Sequence, residues 1–395
     1  MSIYKLSNVI QTYDWGSLTS LHEMFNIENP QHSPQAEMWM GAHPRGCSKV
    51  ADLDIALSEL LVEDTPNMLG SYTAMRFGEL PYLLKVIAAD SPLSIQVHPS
   101  KEKAEQGFQR EEQLGIPIDA RNRNYKDDNH KPELVYALTF FLALNGFRPI
   151  EEITSLFEEL NIPSMIPALQ SLLAQPNENG LKAFFKYIMT LSGNDKQRAL
   201  TELNQAVTLP AKSRLAREAF HTIKNLSEHY QDDVGLFAPL LLNIIELAPG
   251  EAMFLHAETP HAYLSGTALE IMANSDNVLR AGLTSKHIDL KELLQSLSVA
   301  PLPIERALIH PVKKGSRLCF PVAVDDFCFE IIDSRKSDQQ YFTRSAEILF
   351  CISGNIFVET QENSISLTPG ESVFVTCNTC FYLINGIGTL ARAYN

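Results

Sequence analysis

Residues 247–266 (LAPGEAMFLHAETPHAYLSG) and 367–386 (LTPGESVFVTCNTCFYLING) align without a gap at an offset of 367 − 247 = 120, with seven identical positions. Leu, Pro, Gly, Glu, Phe, Thr and the closing Gly recur, and several other pairs exchange one apolar residue for another. A Pro-Gly-Glu turn, a short apolar strand, a second turn and another strand is how adjacent strands of a small β-barrel are joined. With one copy mid-chain and one at the end, two barrel-like units of common ancestry are predicted. The copies differ where chemistry is possible: His261 is replaced by Phe381, and His256 by Thr376. The earlier unit is therefore expected to hold a metal, and the later one to lack the ligands.

The texture between the copies and before them is uneven. Residues 1–147 contain the β-rich runs PYLLKVIAAD, SPLSIQVHPS and KPELVYALTFFLALNGF, broken by Pro81, Pro92 and Pro99. KEKAEQGFQREEQLG (101–115) reads as a surface helix. From Pro149 the apolar positions recur at helical spacing: Ile150, Ile153, Phe157 and Leu160, then Leu181, Phe184, Phe185 and Ile188, then Leu200, Leu203 and Val207. This segment, with only His221 and His229 as histidines, is assigned a structural role. The fold class is mainly β with an α-helical insertion.

Charge excludes several functions. The 395 residues hold 32 Lys+Arg against 47 Asp+Glu, a formal charge of −15, so bulk attraction to nucleic acid or an anionic membrane is not expected. An anionic ligand has to be met by a local cluster of cations. No run approaches the roughly 18 apolar residues of a membrane span, and MSIYKLSNVIQTYDWGS has no signal-peptide apolar region. Six cysteines in so long a chain form no disulfide framework. A cytoplasmic protein is expected.

Three separate places offer metal ligands. In SIQVHP, Gln96 and His98 are two residues apart, so on a strand both side chains point the same way; a polar strand face would look alike. In NYKDDNHKPELVYAL, Glu133 stands where a polar run enters an apolar strand. The third is His261, at the turn of the first repeat copy, with His256 as its rival. Two imidazoles, a carboxylate and an amide oxygen suit Zn²⁺, with Mn²⁺ and Fe²⁺ as competitors. Cys377 and Cys380 form a lone C-x-x-C in the degenerate copy and are left out.

YKDDNHKPE (125–133), LSIQVHP (93–99) and HAYLSG…LEIMANSDNVLRAGLTSK (261–286) closely resemble the motifs of the type I mannose-6-phosphate isomerase family, zinc enzymes of the cupin superfamily, in its bacterial form. YDWGS (13–17) and EMWMGAHP (37–44) resemble its N-terminal motifs. The resemblance implies two jelly-roll barrels and a helical domain. The catalytic cupin barrel is built from residues 1–147 and 236–315, with residues 148–235 inserted as helices. Residues 316–395 form a C-terminal cupin barrel lacking metal ligands. The family's zinc ligands fall on Gln96, His98, Glu133 and His261, leaving His256 outside the HAYL motif, and its essential arginine falls on Arg280. One Zn²⁺ per chain is implied.

The implied reaction interconverts mannose 6-phosphate and fructose 6-phosphate through a cis-enediol, with no redox cofactor. A general base is required, and the sequence does not identify it. Lys131 ranks first, because alternation puts it on Glu133's face if 131–133 is extended; Glu270 and His130 follow. Arg280 is expected to balance developing charge or steer the phosphate, and Lys85, Tyr263 and Lys286 are the substrate-contact candidates. Core packing is expected for Trp15 and Trp39. The competing readings are a cupin iron dioxygenase and a non-catalytic sugar-binding cupin. The expected partner is a small sugar phosphate, with the chain a monomer or weak homo-oligomer.

Overall fold

The computed structural model describes residues 3–336 and 340–395. Its strands form two eleven-stranded antiparallel sheets, and the sequence repeat is a repeat of structure. The first copy folds as strands Leu242–Leu247, Ala252–Leu255 and His261–Ala273, the second as Ser364–Leu367, Ser372–Val375 and Phe381–Tyr394. The Pro-Gly-Glu turns match in detail. Gly250 and Gly370 take φ of 95° and 91°, a region that a side chain disfavours. Each following glutamate closes its turn by accepting a backbone N–H three residues back, Ala248 to Glu251 at 2.9 Å and Thr368 to Glu371 at 2.8 Å.

The strand His261–Ala273 is the spine of the earlier barrel. It pairs with Tyr82–Ala89, Glu133–Ala137 and Phe141–Phe147, and at His261 with Gln96. Its register breaks between Tyr263 and Ser265. At Gly266 (φ 110°) a Cβ would lie 2.3 Å from the Phe140 carbonyl oxygen, so only glycine lets the strand bend there and serve both halves of the barrel.

Helices fill the span from Ile150 to Leu241. The stripes seen in the sequence are their buried faces, packed in one cluster with Phe147, Ala262 and Leu264 of the barrel. Lys101–Gln113 is the surface helix, buried only along Ala104, Gly107 and Glu111.

Sheet membership departs from the expected division at both ends of the earlier unit. Strand Ile3–Ser7 pairs with Ser372–Val375, Lys49–Val50 extends that sheet, and Val312–Lys314 pairs with Arg317–Phe320. The N-terminal strand thus covers an edge of the later barrel that would otherwise present unpaired backbone groups. The barrels also share one core, in which Leu134, Phe254 and Ile271 meet Phe320, Phe329, Phe350 and Ala393. The buried Tyr82 hydroxyl sits 3.1 Å and 2.9 Å from the carbonyl oxygens of Ala346 and Ala393 across that boundary.

Candidate metal centre and its cleft

Strand pairing brings the distant segments together. Gln96 lies directly opposite His261 on one side and Arg280 on the other, and directly opposed residues share a face. His98 Nδ1 is 2.7 Å from the Asn277 carbonyl oxygen, and His261 Nδ1 is 3.0 Å from that of Thr259. With a proton donated on each Nδ1, both Nε2 lone pairs face Glu133, at 3.5 Å from Oε1 and Oε2 respectively. That is too long for a hydrogen bond, and His98 Nε2 is a buried atom without a hydrogen-bond partner among the described residues. One ligand atom from each of the three buried residues lies within 4.8 Å of the others. Two imidazole lone pairs and a carboxylate converging on one point, each ring held by a backbone acceptor, fit a divalent cation such as zinc.

The electrostatics agree. Burial, with help from Lys131, pushes His98 down to about 4, and burial also lowers His261, so both rings are in the neutral, ligating form. Burial alone would raise the Glu133 carboxyl, but the Lys131 ammonium beside it holds it well below the usual carboxylate range.

Lys131 shares Glu133's face as expected, with Nζ 2.8 Å from Oε1. Behind the carboxylate, the Tyr263 hydroxyl lies 2.7 Å from Glu270 and 3.2 Å from Glu133. Glu270 in turn holds Lys85 at 2.9 Å. Burial raises the Glu270 carboxyl even beside Lys85. A cavity of about 580 Å³ opens over the centre, walled by Gln96, Lys85, Lys131, Arg280, Lys286 and the stacked Tyr13–Trp15 pair. Trp39 also reaches it, its indole N–H donating to Glu37 at 2.6 Å.

Some candidates fall elsewhere. Tyr263 and Glu270 do not line the cavity; they form the buried layer under it, because the strand pleat turns them toward Glu133. His130 points the opposite way from Lys131 and meets Asp326 of the later barrel. His256 is exposed, its ring edge-on to Phe254. In the second copy Phe381 is only half-buried and Tyr382 turns inward, so the match of His261 with Phe381 holds along the sequence but not in space. Cys380, just before the strand, takes φ 63°. There Glu347 pairs with Val375 as Glu133 pairs with Leu255. Its carboxylate takes two bonds from Arg392, at 2.7 Å and 2.6 Å, and one from Tyr382 at 2.7 Å. A built-in guanidinium thus neutralises the carboxylate of the later barrel.

Arg280 has no ion-pair partner among the described residues, and its Nε is buried without an acceptor. Burial lowers both its guanidinium and the Lys286 ammonium. The local cation cluster that an acidic chain requires is therefore present. Arg45 belongs to it; sequence reasoning stopped at EMWMGAHP, one residue short. Asn277 was also missed. Besides accepting from His98 through its backbone carbonyl, it accepts the Lys126 N–H on its side chain at 2.7 Å and donates to the carbonyls of Asp127 and Asn129 at 2.8 Å. It ties one ligand to the loop that delivers Lys131 and Glu133. The only sequence signal was its place in NSDNVLR.

Such a centre, at the base of a cation-lined cleft in one of two fused barrels, defines a metal-binding two-barrel cupin protein with a site for an anionic small molecule. Family models match residues 3–150 as the phosphomannose isomerase type I catalytic domain, 161–242 as its helical insertion domain and 316–395 as the mannose-6-phosphate isomerase cupin domain. The mannose-6-phosphate isomerase of Escherichia coli (strain K12) is 47% identical over 394 residues, 99% of each chain. The Homo sapiens protein of that name is 33% identical over 416 residues, 95% of this chain and 94% of its own. A Salmonella typhimurium mannose 6-phosphate isomerase structure, bound to its substrate (fructose 6-phosphate) and zinc, superposes with a TM-score of 0.94 at 47% identity and full coverage of both chains. Another mannose 6-phosphate isomerase structure, bound with zinc and yttrium, gives the same TM-score and identity. The chain belongs to the type I phosphomannose isomerase family.

Proposed function

We propose that Gln96, His98, Glu133 and His261 hold one zinc ion, and that Lys131, Arg280, Lys85 and Lys286 act on a hexose phosphate in the cleft above it. The chain interconverts D-mannose 6-phosphate and D-fructose 6-phosphate through a cis-enediol(ate), an intramolecular aldose–ketose isomerisation. The observation that carries this is the convergence of two neutral imidazoles and a buried carboxylate under a cavity rich in cations. Zinc, when bound, stabilises the negative charge that develops on the sugar's carbonyl oxygen. Lys131 is the proton carrier between C2 and C1, since its Nζ stands both at Glu133 and on the cavity wall. Arg280, without an ion-pair partner among the described residues, and the nearby Lys286 receive the phosphate and balance the enediolate. Lys85, tied to Glu270, fixes the far wall, and Tyr263 holds Glu133 from behind.

We assign residues 1–147 and 236–315 to the catalytic barrel, 148–235 to the helical insertion and 316–395 to the second barrel, to whose sheet Ile3–Ser7 contributes. No helix among the described residues is long and apolar enough to cross a membrane, and all six cysteines are free. Both suit a cytoplasmic setting, with the chain a monomer or weak homo-oligomer. The test is metal analysis joined to a coupled assay for fructose 6-phosphate. One zinc per chain, with turnover lost to a chelator and restored by zinc, is expected; a metal-free chain that turns over mannose 6-phosphate would sink the reading.

A further inference from the structure

We propose that the C-terminal barrel is a working part of the active site, with Asp326 acting through His130 as a positioning residue for Lys131. This rests on the isomerase reading above. His130 and Lys131 immediately precede the strand Glu133–Ala137, and the two neighbouring side chains go to different places. Lys131 enters the catalytic cavity, whereas His130 enters a crevice of about 500 Å³ between the barrels, lined among others by Arg76, Pro81, Asn274 and Val324. There His130 Nε2 lies 3.1 Å and 3.0 Å from the two carboxylate oxygens of Asp326.

The pair is anchored. Asp326 is 4% exposed, and Phe327 beside it is fully buried in the core common to both barrels. His130 is the sole hydrogen-bonding or ionic partner of that carboxylate among the described residues, so a buried polar group depends on this one ring to be satisfied. On its other side the same loop is held by the earlier barrel: Ser275 donates to Asp127 at 2.8 Å, and Asn129 donates to the Asn274 carbonyl at 3.2 Å. The segment delivering Lys131 is thus clamped between two domains, and His130–Asp326 is its last anchor before the lysine.

The test compares Asp326→Ala, Asp326→Asn, His130→Ala and the double alanine variant in the zinc-loaded full chain. Asp326→Ala should keep zinc and KM within about twofold while kcat falls about 10–100-fold, the scale of a small misplacement of a reacting group. Asp326→Asn, whose amide oxygen still accepts from the ring, should recover most of the loss. The double variant should be no slower than either single. Unchanged kcat in Asp326→Ala, or additive losses, would overturn the proposal. The Lys131 Nζ resonance should move in Asp326→Ala and return in Asp326→Asn. A resonance that stays put overturns the proposal even if the wild-type chain proves not to isomerise sugar, whereas failure of wild-type turnover alone strikes only the isomerase reading.

Discussion

His98 and His261 each have one ring nitrogen at a backbone carbonyl and the other turned to Glu133. This arrangement selects the tautomer before any ion arrives, so the cost of orienting the rings is met during folding. His256, five residues from His261 and exposed, has no such arrangement. His261→Ala should therefore abolish stoichiometric zinc, and His256→Ala should retain it, as read by metal analysis after dialysis. Equal loss in both would contradict the ligand set. Arg280 differs in kind: its half-buried guanidinium has no carboxylate among the described residues to neutralise it, so it awaits charge from outside. Arg280→Ala should keep zinc and lose about 10²–10³-fold in turnover, as removal of an oriented charge-stabilising donor does. Steady-state kinetics on metal-assayed protein would reveal unchanged turnover if the role is wrong.

Elements carry the next level. The helix Lys101–Gln113 reaches the site through Tyr125, the residue at the head of the loop ending at Glu133. Gly107 lies against that ring so closely that a Cβ would stand 2.3 Å from it. The ring cannot retreat, since its hydroxyl donates to Glu292 at 2.6 Å and its amide to Glu111 at 2.9 Å. On propensity alone Gly107→Ala gains about 1 kcal/mol; overpacking costs about 1–3 kcal/mol. The net expectation is a lower denaturant midpoint, and a higher one would show that the ring yields. At this scale much was legible beforehand. The apolar stripes at 150–207 are buried helix faces, and the repeat fell on matching strands, because periodicity reports which side of an element is covered. The partner of Ile3–Ser7 was not legible, since a strand's alternation says nothing about which edge it will meet.

For the whole molecule, the barrels are joined by a common core and by the Tyr82 hydroxyl beneath Ala346 and Ala393. They should unfold in a single calorimetric transition, with the later barrel giving no independent stable unit. Tyr82→Phe leaves two buried carbonyls without that donor and should lower stability by about 1–3 kcal/mol while leaving the transition single. Two resolved transitions in the unmodified chain would refute the shared-core account.

The sequence by itself determined what each segment is: two copies of a barrel unit, a helical insertion, and ligand types placed on strand faces by spacing. Those properties are local, set by the pleat and the helical turn within a few residues. Only the tertiary structure decided which segments meet. It set Gln96 between His261 and Arg280, made Asn277 a bridge between two motifs, turned His130 toward Asp326, and moved the inward side chain of the second copy from Phe381 to Tyr382. Such contacts depend on register, on bends at single residues and on packing between elements far apart in the chain, and spacing along the sequence encodes none of these.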